Sequence, residues 1–170
     1  NLKAEFVANR NLPEGLIDVL KALPKDTSPM HALRTGVSAL GCFDPEAETN
    51  DNLEAVRRKS IKLMAQVPVI VAAFHRLRQD KDILESDSNL GEAANFIWLI
   101  TGNKPSEDME QTMDICYILH ADHGFNASTF SGRVTIATLS DVYSAVTSAI
   151  GTLKGPLHGG ANEGVIKMLQ

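Results

Sequence analysis

Apolar residues recur along the chain at steps of three and four, while the alternating runs that would mark strands are scarce. The pattern predicts a mainly α, multi-helical fold. A helix over about 13–23 stops at Pro24. The next takes Ser28 as N-cap and Pro29 at its first position, where a missing N–H costs nothing. Met30, Leu33, Val37 and Leu40 form its inward stripe and Gly41 marks its end. Asp51 opens a long run to about Gln79, with Leu53, Val56, Leu63, Met64 and Val67 facing inward. Pro68 removes a donor inside that run and predicts a kinked helix or two abutting ones.

The polar stretch 79–89 reads as a loop, followed by a helix over about 90–101 closed by Gly102 and Asn103. Ser106 caps the helix after it, which places Met109, Met113, Cys116, His120 and His123 along one face expected to point at the core. Beyond the turn at Gly124 come helices over about 128–138 and 141–153. The second is rich in Ala, Ser, Thr and Gly, so its neighbours can approach closely. A last helix starts after Gly159 and Gly160, and both chain ends read as cut within helical pattern.

Hydrophobic residues at 44% and charged residues at 22% are the balance of an ordinary globular domain, so a core is expected. The net charge of -5 argues against a nucleic-acid surface. The one basic cluster, Arg57, Arg58 and Lys59, reads as a solvated helix face. The longest apolar stretch, 67–74, falls far short of the roughly 20 residues a bilayer span needs, so no membrane insertion is expected. Cys42 and Cys116 show no metal or redox spacing and read as buried, reduced thiols. With no signal peptide in the sequence, they point to a reducing, cytoplasmic setting.

Three histidines sit in unusual settings, whereas His31 and His75 lie in ordinary helical pattern. His158 follows a Gly-Pro break and precedes two glycines and a helix start, where the positive end of the dipole favours the neutral ring. A neutral imidazole can donate a hydrogen bond to a carbonyl and stabilise an enolate. It can equally satisfy backbone groups in a tight turn. His123 lies near a helix C-terminus, where a carboxylate ligand or simple helix capping would suit it. His120, Asp122, His123 and His158 also permit a metal reading, but no zinc motif accompanies them and no metal is expected.

Residues 119–134 (LHADHGFNASTFSGRV) and 155–169 (GPLHGGANEGVIKML) resemble two motifs of the citrate synthase family, in the family's order. Residues 25–41, 67–78 and 139–155 resemble further family segments, so the likeness covers nearly the whole chain. It implies condensation of oxaloacetate with acetyl-CoA to citrate and CoA. In that reaction an aspartate removes a methyl proton, one histidine stabilises the enol or enolate, and a second polarises the ketone. By resemblance His158 falls on the enolate-stabilising position, His123 and Asn126 on the oxaloacetate pocket, and Ser128 on the residue that orients the His158 ring. The family's second catalytic histidine, its aspartate and its dicarboxylate-binding arginines fall beyond Gln170. Neither Asp122 nor Asp141 sits in the aspartate motif, so the segment alone is expected to be inactive.

The resemblance further implies a homodimer, no cofactor beyond the acetyl-CoA substrate, and two domains that close over substrate. Residues 1–158 would be part of the large helical domain, with interface helices at about 28–41, 51–79 and 141–153. Residues 159–170 would start the small domain, with Gly155, Gly159 and Gly160 near the hinge. The alternative within the family is a 2-methylcitrate synthase, which shares the fold and mechanism but takes propionyl-CoA; the wording of residues 119–123 leans toward citrate synthase. A non-catalytic helical dimerisation module and a metal-binding helical protein are the readings from other classes.

Overall fold

The structure, a computed structural model, describes residues 1–169. Among them are nine α-helices and no strand, which is the mainly α fold that the periodicity predicts. Gln170, the last position of the expected small-domain start, lies outside the described residues.

The helices are α1 (Leu2–Ala8), α2 (Glu14–Ala22), α3 (Pro29–Leu40), α4 (Leu53–Leu77), α5 (Glu92–Thr101), α6 (Glu107–His120), α7 (Ala127–Ala137), α8 (Val142–Leu153) and α9 (Ala161–Leu169). Their starts follow local chemistry. The side chains of Asn52, Ser106, Asn126 and Asp141 each accept a backbone N–H of the helix they precede. Ser28 stands at the N-cap of α3 without a side-chain bond, so Pro29 carries that start. α5 ends at Gly102, whose left-handed φ of 77° no branched residue would accept readily. Gly41 does not stop its helix outright, because it is right-handed and leads into a 3₁₀ turn, Gly41–Phe43.

α4 is the axis of the fold, with α1, α2, α3, α5 and α8 packed on it. Leu16 and Leu20 of α2, Val37 and Leu40 of α3, Leu63, Ile70 and Ala73 of α4, and Tyr143 and Ile150 of α8 form the core. A smaller cluster of Val69, Ala72 and Leu99 joins α4 to α5. α6 then packs on α5 and α7 on α8, as outer helices.

α4 continues through Pro68 as a single helix, so two abutting helices are not found. Its inward face also differs from expectation. Leu53 and Met64 are exposed, Val56 and Val67 are half-buried, and of the expected stripe only Leu63 is fully buried. Two polar residues take interior places instead, because loop carbonyls satisfy them. Lys59, expected on a solvated face, is 0% exposed, and its Nζ donates to Ala47 O, Thr49 O and Asn50 Oδ1 at 2.8–2.9 Å. Gln66 donates to Asn11 O. Only Arg57 and Arg58 of the basic cluster face solvent, paired with Glu5 and Glu46. α4 is long and apolar enough over one window to pass as a bilayer span, but half of that window is buried inside this fold.

The face of α6 expected to point at the core does not close against one, since α6 has no buried residue. Met109, Met113 and Cys116 line an open apolar cavity of about 450 Å³ with Phe96, Ile97 and Ile100 of α5. Both cysteines are exposed and free, contrary to the buried thiols expected.

Asp44 anchors the 44–51 loop to α8 and α4. Its carboxylate accepts from the Tyr143 hydroxyl, from Lys62 Nζ at 3.2 Å and from the Glu46 N–H at 2.9 Å. Burial pushes the carboxyl up, but Tyr143, Glu46 and Lys62 outweigh it and hold its pKa below the usual value of 3.8. Tyr143→Phe removes one donor from a nearly buried carboxylate and is expected to cost about 1–3 kcal/mol in urea unfolding. A depressed pKa contributes stability above the unfolded value of 3.8, lost as pH falls through the lower folded value. The gap between Tyr143→Phe and the parent protein should therefore narrow in acid.

Candidate functional site

α7 and α8 form an antiparallel hairpin joined by residues 138–141, and α7 makes its most extensive contact with α8. The N-terminus of α7 therefore lies beside the C-terminus of α8, where the chain turns through 155–160 into α9. Ser128, in the first turn of α7, meets His158 at this open end. Ser128 Oγ lies 2.8 Å from His158 Nε2, across 30 residues of sequence.

The turn that carries His158 is tied down by backbone bonds. The His158 N–H donates to Gly155 O and the Ala161 N–H donates to His158 O, each at 3.0 Å. The Gly160 N–H reaches both Leu153 O and Gly155 O, at 3.2 and 3.1 Å. The ring is thus committed to the Ser128 hydroxyl while the main chain satisfies itself, unlike a histidine whose ring serves turn backbone. Two tautomers fit the Ser128 contact. If the hydroxyl donates to Nε2, the ring proton sits on Nδ1 and Nδ1 is a free donor. If Nε2–H donates, Nδ1 can only accept.

α6 ends at His120 and is C-capped by Ala121. His123 therefore lies three residues beyond the helix, and His120 is the histidine of the last turn, with Nδ1 2.7 Å from Cys116 O. In the 121–126 turn Asp122 Oδ1 accepts the Gly124 N–H at 2.8 Å. His123 is exposed, and among the described residues its ring has no hydrogen-bond partner. Asn126 uses Oδ1 to cap α7 through the Thr129 N–H at 3.0 Å, which leaves its amide NH2 free to donate. Arg133 lies over the Phe125 ring at 5.0 Å, and Phe125 meets Phe130 edge to face. Among the described residues no group of three or more His, Cys, Asp or Glu side chains is placed to hold a metal ion.

Gly155, Gly159 and Gly160 all have ordinary backbone angles, so contact rather than φ demands glycine there. A Cβ on Gly159 would lie 2.6 Å from Leu153 O, and one on Gly160 would lie 2.8 Å from Lys154 O and Gly155 O. Gly155 is looser, at 3.2 Å from Thr152 O.

A hydroxyl pair joins the hairpin one turn from Ser128, between Ser131 Oγ and Ser148 Oγ at 2.5 Å. Reading the sequence singles out neither residue. The signal that carries them is the recurrence of hydroxyls at 128, 131 and 135, three and four apart on one helix face.

A profile of the citrate synthase C-terminal domain matches residues 1–170. The chain is 49% identical over 166 residues to a citrate synthase of Deinococcus radiodurans, covering 98% of this chain and 44% of that protein. It is 46% identical over 162 residues to 2-methylcitrate synthase 1 of Corynebacterium glutamicum, covering 92% of this chain and 42% of that protein. The crystal structure of a citrate synthase from Pyrobaculum aerophilum superposes with a TM-score of 0.93 at 35% identity, covering 98% of this chain and 43% of that one. The chain thus spans less than half the length of these relatives.

Proposed function

The chain belongs to the citrate synthase family, and from that premise we propose that it carries the enolate-stabilising half of a site that condenses acetyl-CoA with oxaloacetate to give citrate and CoA. The observation that carries this reading is the 2.8 Å contact between Ser128 Oγ and His158 Nε2. When the hydroxyl donates to Nε2, the neutral ring presents Nδ1–H to the thioester oxygen of acetyl-CoA. As a base removes a methyl proton, negative charge moves onto that oxygen, and a donor already fixed in place stabilises it without reorganising. The enolate carbon then attacks the ketone of oxaloacetate, and hydrolysis of the thioester releases CoA.

His123 and Asn126 precede Ser128 in the same loop and helix start, and they bind oxaloacetate as hydrogen-bond donors. The base, the second histidine and the arginine clamp come from family segments outside this chain, so the isolated segment is inactive. No cofactor is required, since acetyl-CoA is a substrate, and the enzyme works in the cytoplasm. Residues 1–158 belong to the large domain and 159–170 begin the small one, with Gly155, Gly159 and Gly160 next to the hinge.

Steady-state kinetics of the complete enzyme with acetyl-CoA and with propionyl-CoA test this reading. Higher kcat/KM with acetyl-CoA and citrate as product support it. A preference for propionyl-CoA assigns the chain to the 2-methylcitrate branch that one relative represents. Turnover of neither ester with oxaloacetate sinks both. One methylene is worth only about 1–3 kcal/mol in a pocket, so the ratio should stay within roughly 10- to 200-fold.

In this reading the complete enzyme is a homodimer, and the exposed apolar residues of α6 and α7 are candidates for its interface. α3, α4 and α8, the helices expected at the interface, also supply residues to the core, and α7 packs on α8 beside them. Ile115, Ile118 and Leu119 of α6, at three- and four-residue steps, are exposed, as are Phe130 and Val134 of α7. Apolar faces of this kind mark interaction surfaces. Ile118→Asp combined with Leu119→Asp should convert the complete enzyme to monomer in light scattering. An unchanged dimer mass would move the interface elsewhere.

A further inference from the structure

α7 is held to the fold in an unusual way. It has no buried residue, its large apolar side chains Phe130, Val134 and Ile136 point to solvent, and α8 is the helix it packs on. What meets α8 is small or hydroxylated: Ser131 on Ser148, and Gly132 against Ala145 O and Ala149. Contacts between small residues allow close approach but are non-directional, so they leave a helix free to slide or pivot on its neighbour. Hydrogen bonds are directional and fix register.

The hairpin is covalently closed only at residues 138–141, the end far from His158. Ser128 lies about 10 residues from that loop, and at 1.5 Å per residue the lever is roughly 15 Å long. A pivot of only about 4° about the loop would then shift Ser128 by about 1 Å, a misplacement that can cost on the order of 100-fold in rate. Ser131 sits three residues from Ser128 on the same face, about 4.5 Å along the axis. Its bond to Ser148 is the tie between α7 and α8 nearest the open end, before the Ser128–His158 contact itself. Two hydrogen bonds a turn apart fix both the rotation and the axial register of α7.

We infer that Ser131 and Ser148 form a positioning pair, whose hydroxyl bond locks α7 onto α8 and so holds Ser128 at hydrogen-bonding distance from the His158 ring. Neither residue touches substrate. The inference rests on the proposed role of His158, and it adds two residues to the machinery of that site.

A double-mutant cycle in the complete enzyme tests it. Ser131→Ala and Ser148→Ala should each lower kcat about tenfold, with the KM for oxaloacetate and the melting temperature little changed. The double variant should be no worse than either single one. In a Ser128→Ala background, where there is no contact left to position, adding Ser131→Ala should lower kcat no further. A role confined to stability would instead lower the melting temperature and leave kcat of the folded enzyme intact, which overturns the inference. Full multiplication of the Ser128→Ala and Ser131→Ala effects overturns it as well. If Ser128→Ala and His158→Ala themselves leave condensation untouched, the functional reading falls. If they impair it while Ser131→Ala does not, only the positioning pair falls.

Discussion

Replacing His158 with alanine in the complete enzyme is expected to lower kcat by about 100- to 1,000-fold, the cost of removing one preorganised donor from a developing oxyanion, or about 2.7–4 kcal/mol. The loss should fall on kcat more than on the KM for oxaloacetate. The ring faces the thioester in the proposed mechanism, and its work is done only once negative charge appears. Exchange of the acetyl-CoA methyl protons with solvent isolates the enolisation step and should fall in parallel. Ser128→Ala is expected to show the same pattern to a smaller degree, about 10- to 100-fold. It leaves the donor present but frees its tautomer and orientation, since among the described residues Ser128 alone bonds Nε2. A His158→Ala enzyme that enolises acetyl-CoA within threefold of the parent rate would remove the histidine from the mechanism.

That contact is also where sequence and structure meet most directly. Helix existence was legible because caps and breakers are local: Ser106, Asp141, Pro24 and Gly102 act within a few residues of where they stand. The face each helix buries was less legible, because it depends on partners far away in sequence. Lys59 lies inside because the 44–51 loop offers three acceptors to its ammonium, and Gln66 because Asn11 O reaches it. Leu53 and Met64 fit the apolar period equally well but are left exposed by the described residues.

α6 illustrates the same limit. Its apolar period is real, yet Ile115, Ile118 and Leu119 remain in solvent. Periodicity reports that a face will be covered and is silent on whether the cover comes from the same chain. At the site, the motif around His158 points to the ring on which the proposed mechanism turns, and that ring bonds Ser128 in the structure. Hydroxyls at 128, 131 and 135 mark one face of α7, but nothing in the sequence pairs Ser131 with Ser148, 17 residues away, until the hairpin aligns them.

Gly159→Ala is expected to cut kcat about 100-fold while leaving the helical content of the enzyme unchanged. The added Cβ would stand 2.5 Å from Leu153 Cδ1 and 2.6 Å from Leu153 O. The leucine methyl can rotate away, but the carbonyl belongs to the last residue of α8 and cannot. The turn must therefore open, and the Gly160 N–H loses its hold on Leu153 O and Gly155 O. Overpacking of this kind costs about 1–3 kcal/mol, small against the stability of a whole enzyme but concentrated on the six residues that place His158. A shift of about 1 Å in the ring suffices for a rate loss of that size. Gly155→Ala supplies the internal control, because its Cβ would lie 3.2 Å from Thr152 O, a contact that a few tenths of an ångström relieve. If glycine were retained at 155, 159 and 160 for hinge freedom alone, alanine would impair closure similarly at all three positions. If contact decides, Gly159→Ala should be far worse than Gly155→Ala, and enolisation measured by proton exchange should track that order. Equal losses at the two positions would show that backbone freedom, rather than the fit of the turn against α8, is what glycine supplies there.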